Sequence, residues 1–66
     1  MYSSNSRERS KRGKVDEILT PGAECRVKVD GVFWHALVPA GLSFSPGDYI
    51  QVVGQHGIKL LVIPLQ

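Results

Sequence analysis

Sixty-six residues, 42% hydrophobic and 21% charged, can build one small globular core and leave no room for a second. No apolar run approaches the about 18 residues of a membrane-spanning helix, and the start of the chain lacks the apolar stretch of a signal peptide. The lone cysteine, Cys25, excludes an internal disulfide and has no clustered His or Cys with metal-ligand spacing, which fits a reducing, cytosolic setting.

The charge is divided along the chain. Residues 1–14 carry Arg7, Arg9, Lys11, Arg12 and Lys14 against Glu8, a net of +4, with no apolar side chain after Tyr2. That composition predicts a disordered, solvated basic tail or linker. Residues 15–66 hold Arg26, Lys28 and Lys59 against Asp16, Glu17, Glu24, Asp30 and Asp48, a net of −2, and are the folded domain.

The first strand is expected over Val15 to Thr20, where alternation is partial, and Pro21-Gly22 ends it. From Glu24 the pattern is regular: Cys25, Val27 and Val29 alternate with Glu24, Arg26, Lys28 and Asp30, the period of a half-buried strand. Asp30-Gly31 suits the positive φ angles of a type I′ turn. A two-residue turn there sets Val29 opposite Val32, Val27 opposite Trp34 and Cys25 opposite Ala36, all on one face. Trp34 therefore belongs with the core valines. The other face pairs Lys28 with Phe33, Arg26 with His35 and Glu24 with Leu37, so Arg26, Lys28, Phe33 and His35 form a candidate contact patch. His35, with no carboxylate or second histidine expected in reach, reads as an isolated surface imidazole.

Residues 39–48, PAGLSFSPGD, are punctuated by proline and glycine and predict a loop with a short turn near Leu42 to Phe44. Within it, Ser45-Pro46-Gly47-Asp48 has Pro and Gly at the centre of a type II turn. Tyr49 to Gly54 and Ile58 to Ile63 predict a second hairpin. A three-residue loop, Gln55-His56-Gly57 with Gly57 left-handed, would pair Val52 with Leu60 and Ile50 with Val62. Val53, Leu61 and Ile63 then fall on the outside as an apolar stripe, a second candidate contact surface.

Five short strands, two tight hairpins and a longer connection between the third and fourth strands predict an all-β, five-stranded barrel of the OB type, with an SH3-like barrel as the competing arrangement. The stretch GKVDEILTPG, VDGVFWHALV and FSPGDYIQVVGQHGIKLLVIPL resembles the C-terminal OB domain of the NfeD family. The matching residues are Gly13, Leu19, Pro21, Gly22, Gly31, Trp34, Ala36, Gly47, Ile50, Val52, Gly57, Leu60, Val62 and Pro64. Asp16 and Glu17 stand where the family pattern has a second glycine.

The resemblance implies a domain with no catalytic activity and no cofactor that follows transmembrane helices outside this sequence. It also implies an adaptor for stomatin- or flotillin-like membrane proteins or for membrane proteases. The basic tail would be the juxtamembrane linker on the cytoplasmic side.

A nucleic-acid-binding OB module is the alternative, using Arg26, Lys28, Phe33 and His35, although the net charge of −2 in the folded part opposes it. Catalysis is not expected. Ser43 and Ser45 lie in a turn-rich loop outside any Gly-x-Ser-x-Gly elbow, and the acidic residues are assigned to strand exteriors and turns.

Overall fold

A computed structural model describes residues 11–65. Strands β1 (Lys11–Thr20), β2 (Glu24–Val29), β3 (Val32–Leu37), β4 (Tyr49–His56) and β5 (Lys59–Pro64) close into a barrel in the order β1-β2-β3-β5-β4. Neighbours are antiparallel except β3 and β5, which meet in parallel at Ala36–Leu60 and Leu37–Leu61. This is the OB arrangement. Closure removes the open edges that a five-stranded sheet would otherwise present.

The β2–β3 hairpin has the register that its sequence dictates. Val29 faces Val32, Val27 faces Trp34 and Cys25 faces Ala36, around a turn with Asp30 at φ 52° and Gly31 at φ 81°. The inward side chains join a core of Val15, Cys25, Val27, Val29, Ala36, Val38, Ile50, Leu60 and Val62, with Ile18, Trp34, Phe44 and Val52 packed against it. Trp34 is half-buried and lies against this core.

Two expectations are corrected. The first concerns the start of β1. Lys11 to Lys14 do not belong to a tail: they pair with β4, Lys11 opposite Val52 and Lys14 opposite Tyr49. Their charged side chains face solvent, as they would in a tail, and the strand is betrayed only by Gly13 between them. A Cβ at Gly13 would come within 2.7 Å of both the Lys28 carbonyl oxygen and Val29 Cγ2, so β1 passes too close to β2 for a side chain there. The remainder of the expected tail, residues 1–10, lies outside the described residues.

The second correction concerns the β4–β5 turn. It is a two-residue turn at Gly57-Ile58, with His56 paired to Lys59 and Gly57 at φ 62°. The Gln55 side-chain amide donates to the Gly57 carbonyl at 2.9 Å and braces it. Val52 consequently pairs with Val62, and Ile50 with Pro64, because an irregularity between Val52 and Gly54 inserts Val53 as an extra residue. Such a bulge reverses the facing of everything beyond it. With an unbroken ladder Val53 would face Val62, and Ile50, which is fully buried, would point outward.

The connection from β3 to β4 is held by short turns. Pro39–Leu42 closes with a 3.1 Å bond, Leu42 N–H to the Pro39 carbonyl, earlier in the chain than the turn expected at Leu42 to Phe44. Ser45–Asp48 forms the expected type II turn, with Gly47 at φ 97°. This turn is tied to β1 by Gly47 N–H to the Val15 carbonyl and Val15 N–H to the Asp48 carbonyl, both 2.8 Å. Phe44, between the two turns, packs against the core.

Candidate interaction surfaces

The outer face of the β2–β3 hairpin brings Arg26, Lys28, Phe33 and His35 together. Phe33 stands opposite Lys28 and Arg26 opposite His35. The Arg26 guanidinium carbon lies 5.2 Å, and Lys28 Nζ 5.3 Å, from the Phe33 ring centroid, so two cations flank one exposed ring.

Arg26 is engaged from a second side. Its Nε and Nη2 donate to Asp16 Oδ2 at 2.9 and 2.7 Å, and Nη2 lies 2.9 Å from Glu17 Oε1. These bonds hold the guanidinium firmly in its charged form: the hydrogen bond it donates to Asp16 is the largest influence raising its pKa. The ladder explains how Asp16 reaches it. Val15 pairs with Val27 and Glu17 with Arg26, leaving Asp16 as the extra residue of a bulge. The acidic pair that replaces a glycine of the NfeD pattern is thus the anchor of Arg26.

His35 does have a carboxylate near it, contrary to the expectation of an isolated imidazole. Its Nδ1 lies 3.8 Å from Glu24 Oε2, too long for a hydrogen bond. The same oxygen accepts Lys59 Nζ at 2.7 Å. That bond holds the Glu24 carboxyl below the usual carboxylate range, against the opposing effect of partial burial and with a smaller contribution from His35. Beneath this cluster Cys25 is completely buried, and burial pushes its thiol pKa up, with Glu24 adding to the shift. A thiol in that state is a core side chain rather than a nucleophile.

The second surface lies across β3, β5 and β4. Leu60 and Val62 point into the barrel, which turns Lys59, Leu61 and Ile63 outward. Leu37 lies beside Leu61 in the parallel ladder, Ile63 pairs with Gln51, and Gly54 pairs with Leu61. The half-buried Leu61 side chain lies over Gly54, where a Cβ would come within 3.2 Å of Leu61 Cδ1. Val53 in the bulge is 53% exposed and Ile58 in the turn 80% exposed. The outer apolar residues are therefore Val53, Leu61 and Ile63, which sequence alternation placed outside, and Leu37 beside Leu61 and Ile58 in the turn, which it did not single out. A chain reading with Leu37 opposite Glu24 and Ile58 next to a turn glycine contained the signal for both.

Gly31, Gly47 and Gly57 all adopt positive φ, and Trp34 and Ala36 pack as core residues, so these five positions shape the barrel. Among the described residues no group of three or more His, Cys, Asp or Glu is arranged to hold a metal ion, and no helix is long and apolar enough to cross a membrane.

No family model matches the sequence, and no curated protein matches it. Among solved structures the barrel is similar to the C-terminal domain of stomatin operon partner protein 1510-C from Pyrococcus horikoshii. The two are 30% identical over 86% of each chain, with a TM-score of 0.75.

Proposed function

The chain belongs to the NfeD family as its C-terminal OB-barrel domain, and from that premise we propose that it is a non-catalytic adaptor that docks a stomatin- or flotillin-like membrane protein. One observation carries the reading: the apolar stripe of Val53, Leu61 and Ile63, continued by Leu37 and Ile58, lies outside a barrel whose core closes without it. Exposed Val53, Ile58 and Ile63 beside half-buried Leu37 and Leu61 make a surface suited to a protein partner. The similar domain is described as a partner from a stomatin operon, which supports the choice of partner class. In this reading the chain works at the cytoplasmic face of a membrane, anchored by a segment outside this sequence, and assists membrane proteases or their regulators without chemistry of its own.

The geometry of the basic hairpin weighs against the nucleic-acid alternative. Arg26 is bound to Asp16 and Glu17, and cations flank the ring of Phe33, whereas a base needs an open aromatic face. The deciding experiment is an amide-shift titration of the 66-residue protein with a stomatin-like protein from the same organism, and separately with single-stranded RNA. Shifts centred on Val53, Leu61 and Ile63, abolished in Val53→Asp/Ile63→Asp, are expected with the protein partner. Absence of those shifts, or RNA-induced shifts at Arg26, Lys28, Phe33 and His35, would overturn the adaptor assignment.

A further inference from the structure

A third surface, on the opposite side of β1 from the core, was hidden from sequence reading because it uses residues assigned to the tail. Arg12, Lys14 and Lys28 line one shallow cavity of about 380 Å³ together with Gly13, Tyr49 and Leu65. Register explains the convergence. Lys14 is directly opposite Lys28 on β2 and directly opposite Tyr49 on β4, and its Nζ lies 5.5 Å from the Tyr49 ring centroid. Arg12 is two residues along the same strand and so shares its outward face.

Like charges set opposite each other on neighbouring strands repel, and among the described residues no carboxylate forms an ion pair with Arg12, Lys14 or Lys28. Among the described residues the carboxylates are engaged elsewhere: Asp16 and Glu17 with Arg26, Glu24 with Lys59, and Asp30 with Lys11. Asp48 accepts the Ser45 backbone N–H. A cavity lined by three cations that are not ion-paired among the described residues suits an external anion.

The neighbourhood selects the kind of anion. Tyr49, 60% exposed, and Leu65 are shared with a second shallow cavity of about 310 Å³, otherwise lined by Leu42, Ser43, Phe44, Asp48 and Pro64. Cations and exposed apolar side chains thus stand side by side. Both cavities are open, and a free phosphate ion there would stay largely hydrated. A base stack would have to displace Lys14 from Tyr49. An anionic lipid surface offers what both halves require: phosphates for the cations, and an interfacial layer for a tyrosine and flanking leucines.

We infer that Arg12, Lys14, Lys28 and Tyr49 form a site for the phosphate of an anionic lipid headgroup, by which the barrel itself lies against a membrane. The site is separate from the apolar stripe and does not depend on the adaptor reading.

The test is co-sedimentation of the 66-residue protein with vesicles of phosphatidylcholine, with and without one-third phosphatidylglycerol. Each lysine near an anionic surface strengthens binding about five-fold, so Lys14→Ser/Lys28→Ser should weaken partitioning about 25-fold. Arg7→Ser/Arg9→Ser removes the same charge from the N-terminal segment and should cost clearly less, while Tyr49→Ser should weaken binding at unchanged charge. Val53→Asp/Ile63→Asp should bind no more weakly than its two added negative charges alone require, a cost set by adding two acids elsewhere on the surface. Equal losses from the two charge-removing variants would reduce the effect to net charge and overturn the proposal. It would also be overturned if inorganic phosphate or a single-stranded RNA shifted the amides of Arg12, Lys14 and Lys28 while vesicles bound no protein. Unchanged circular dichroism of each variant confirms that loss of binding is not loss of fold.

Discussion

At Gly13 a single hydrogen in place of a side chain decides how closely two strands approach. A methyl group there would sit 2.7 Å from both a backbone oxygen of β2 and a core valine methyl, and the backbone oxygen cannot rotate away. Gly13→Ala is expected to destabilise the barrel by about 1–3 kcal/mol, as overpacking does, measured by urea denaturation. An unchanged midpoint would show that β1 can move outward freely. Glu24 gives a residue-scale prediction in pH. Its folded-state pKa lies below the ordinary value of 4.5 because of Lys59. Its stabilising contribution is therefore complete above about pH 4.5 and is lost as the pH falls through the lower folded value. Glu24→Gln should lower stability at pH 7 and should narrow the gap to the parent protein at pH 3. A gap constant across that range would remove Lys59 from the account.

The strands differ in how openly the sequence announces them. The β2–β3 register is legible because an Asp-Gly turn and a strict period of two demand the same pairing. The β4–β5 register is not, because the turn is one residue later than its glycine suggests and Val53 bulges to compensate. The two departures restore the facing of Ile50 and Val52 but shift their partners by two residues, which leaves little trace in a pattern of mostly apolar residues. The outward placement of Leu61 and Ile63 was legible all the same, since alternation in β5 is intact, whereas Val53 lies outside because it is the extra residue of the bulge. The first half of β1 was obscured for the opposite reason: its outward residues are all cationic, and a strand whose one inward position is glycine has no apolar periodicity to display. The bulge also yields a test. Deleting Val53 keeps Gly54 opposite Leu61 and Val52 opposite Val62 with Ile50 still inward, so the folded amide spectrum should survive; its loss would show that the bulge is needed to bend β4 into the barrel.

Taken whole, the barrel joins three local antiparallel pairs through two distant seams, β3 to β5 and β1 to β4. β2–β3 and β4–β5 each turn within a few residues, while β1 reaches across to β4, where Lys11 pairs with Val52, about 40 positions away along the chain. Closing such a span has a larger entropic cost than closing a hairpin, and among the described residues the seam contains the four pairs from Lys11–Val52 to Lys14–Tyr49. The amides of that seam should exchange with deuterium faster than those of Val27 and Val29 at equal pH. Uniform protection would mean that the barrel opens solely by complete unfolding. The seam is also where Arg12, Lys14 and Tyr49 meet. Any anion that bridges them clamps the seam with the longest span along the chain, so a bound membrane surface would slow the breathing of the barrel there.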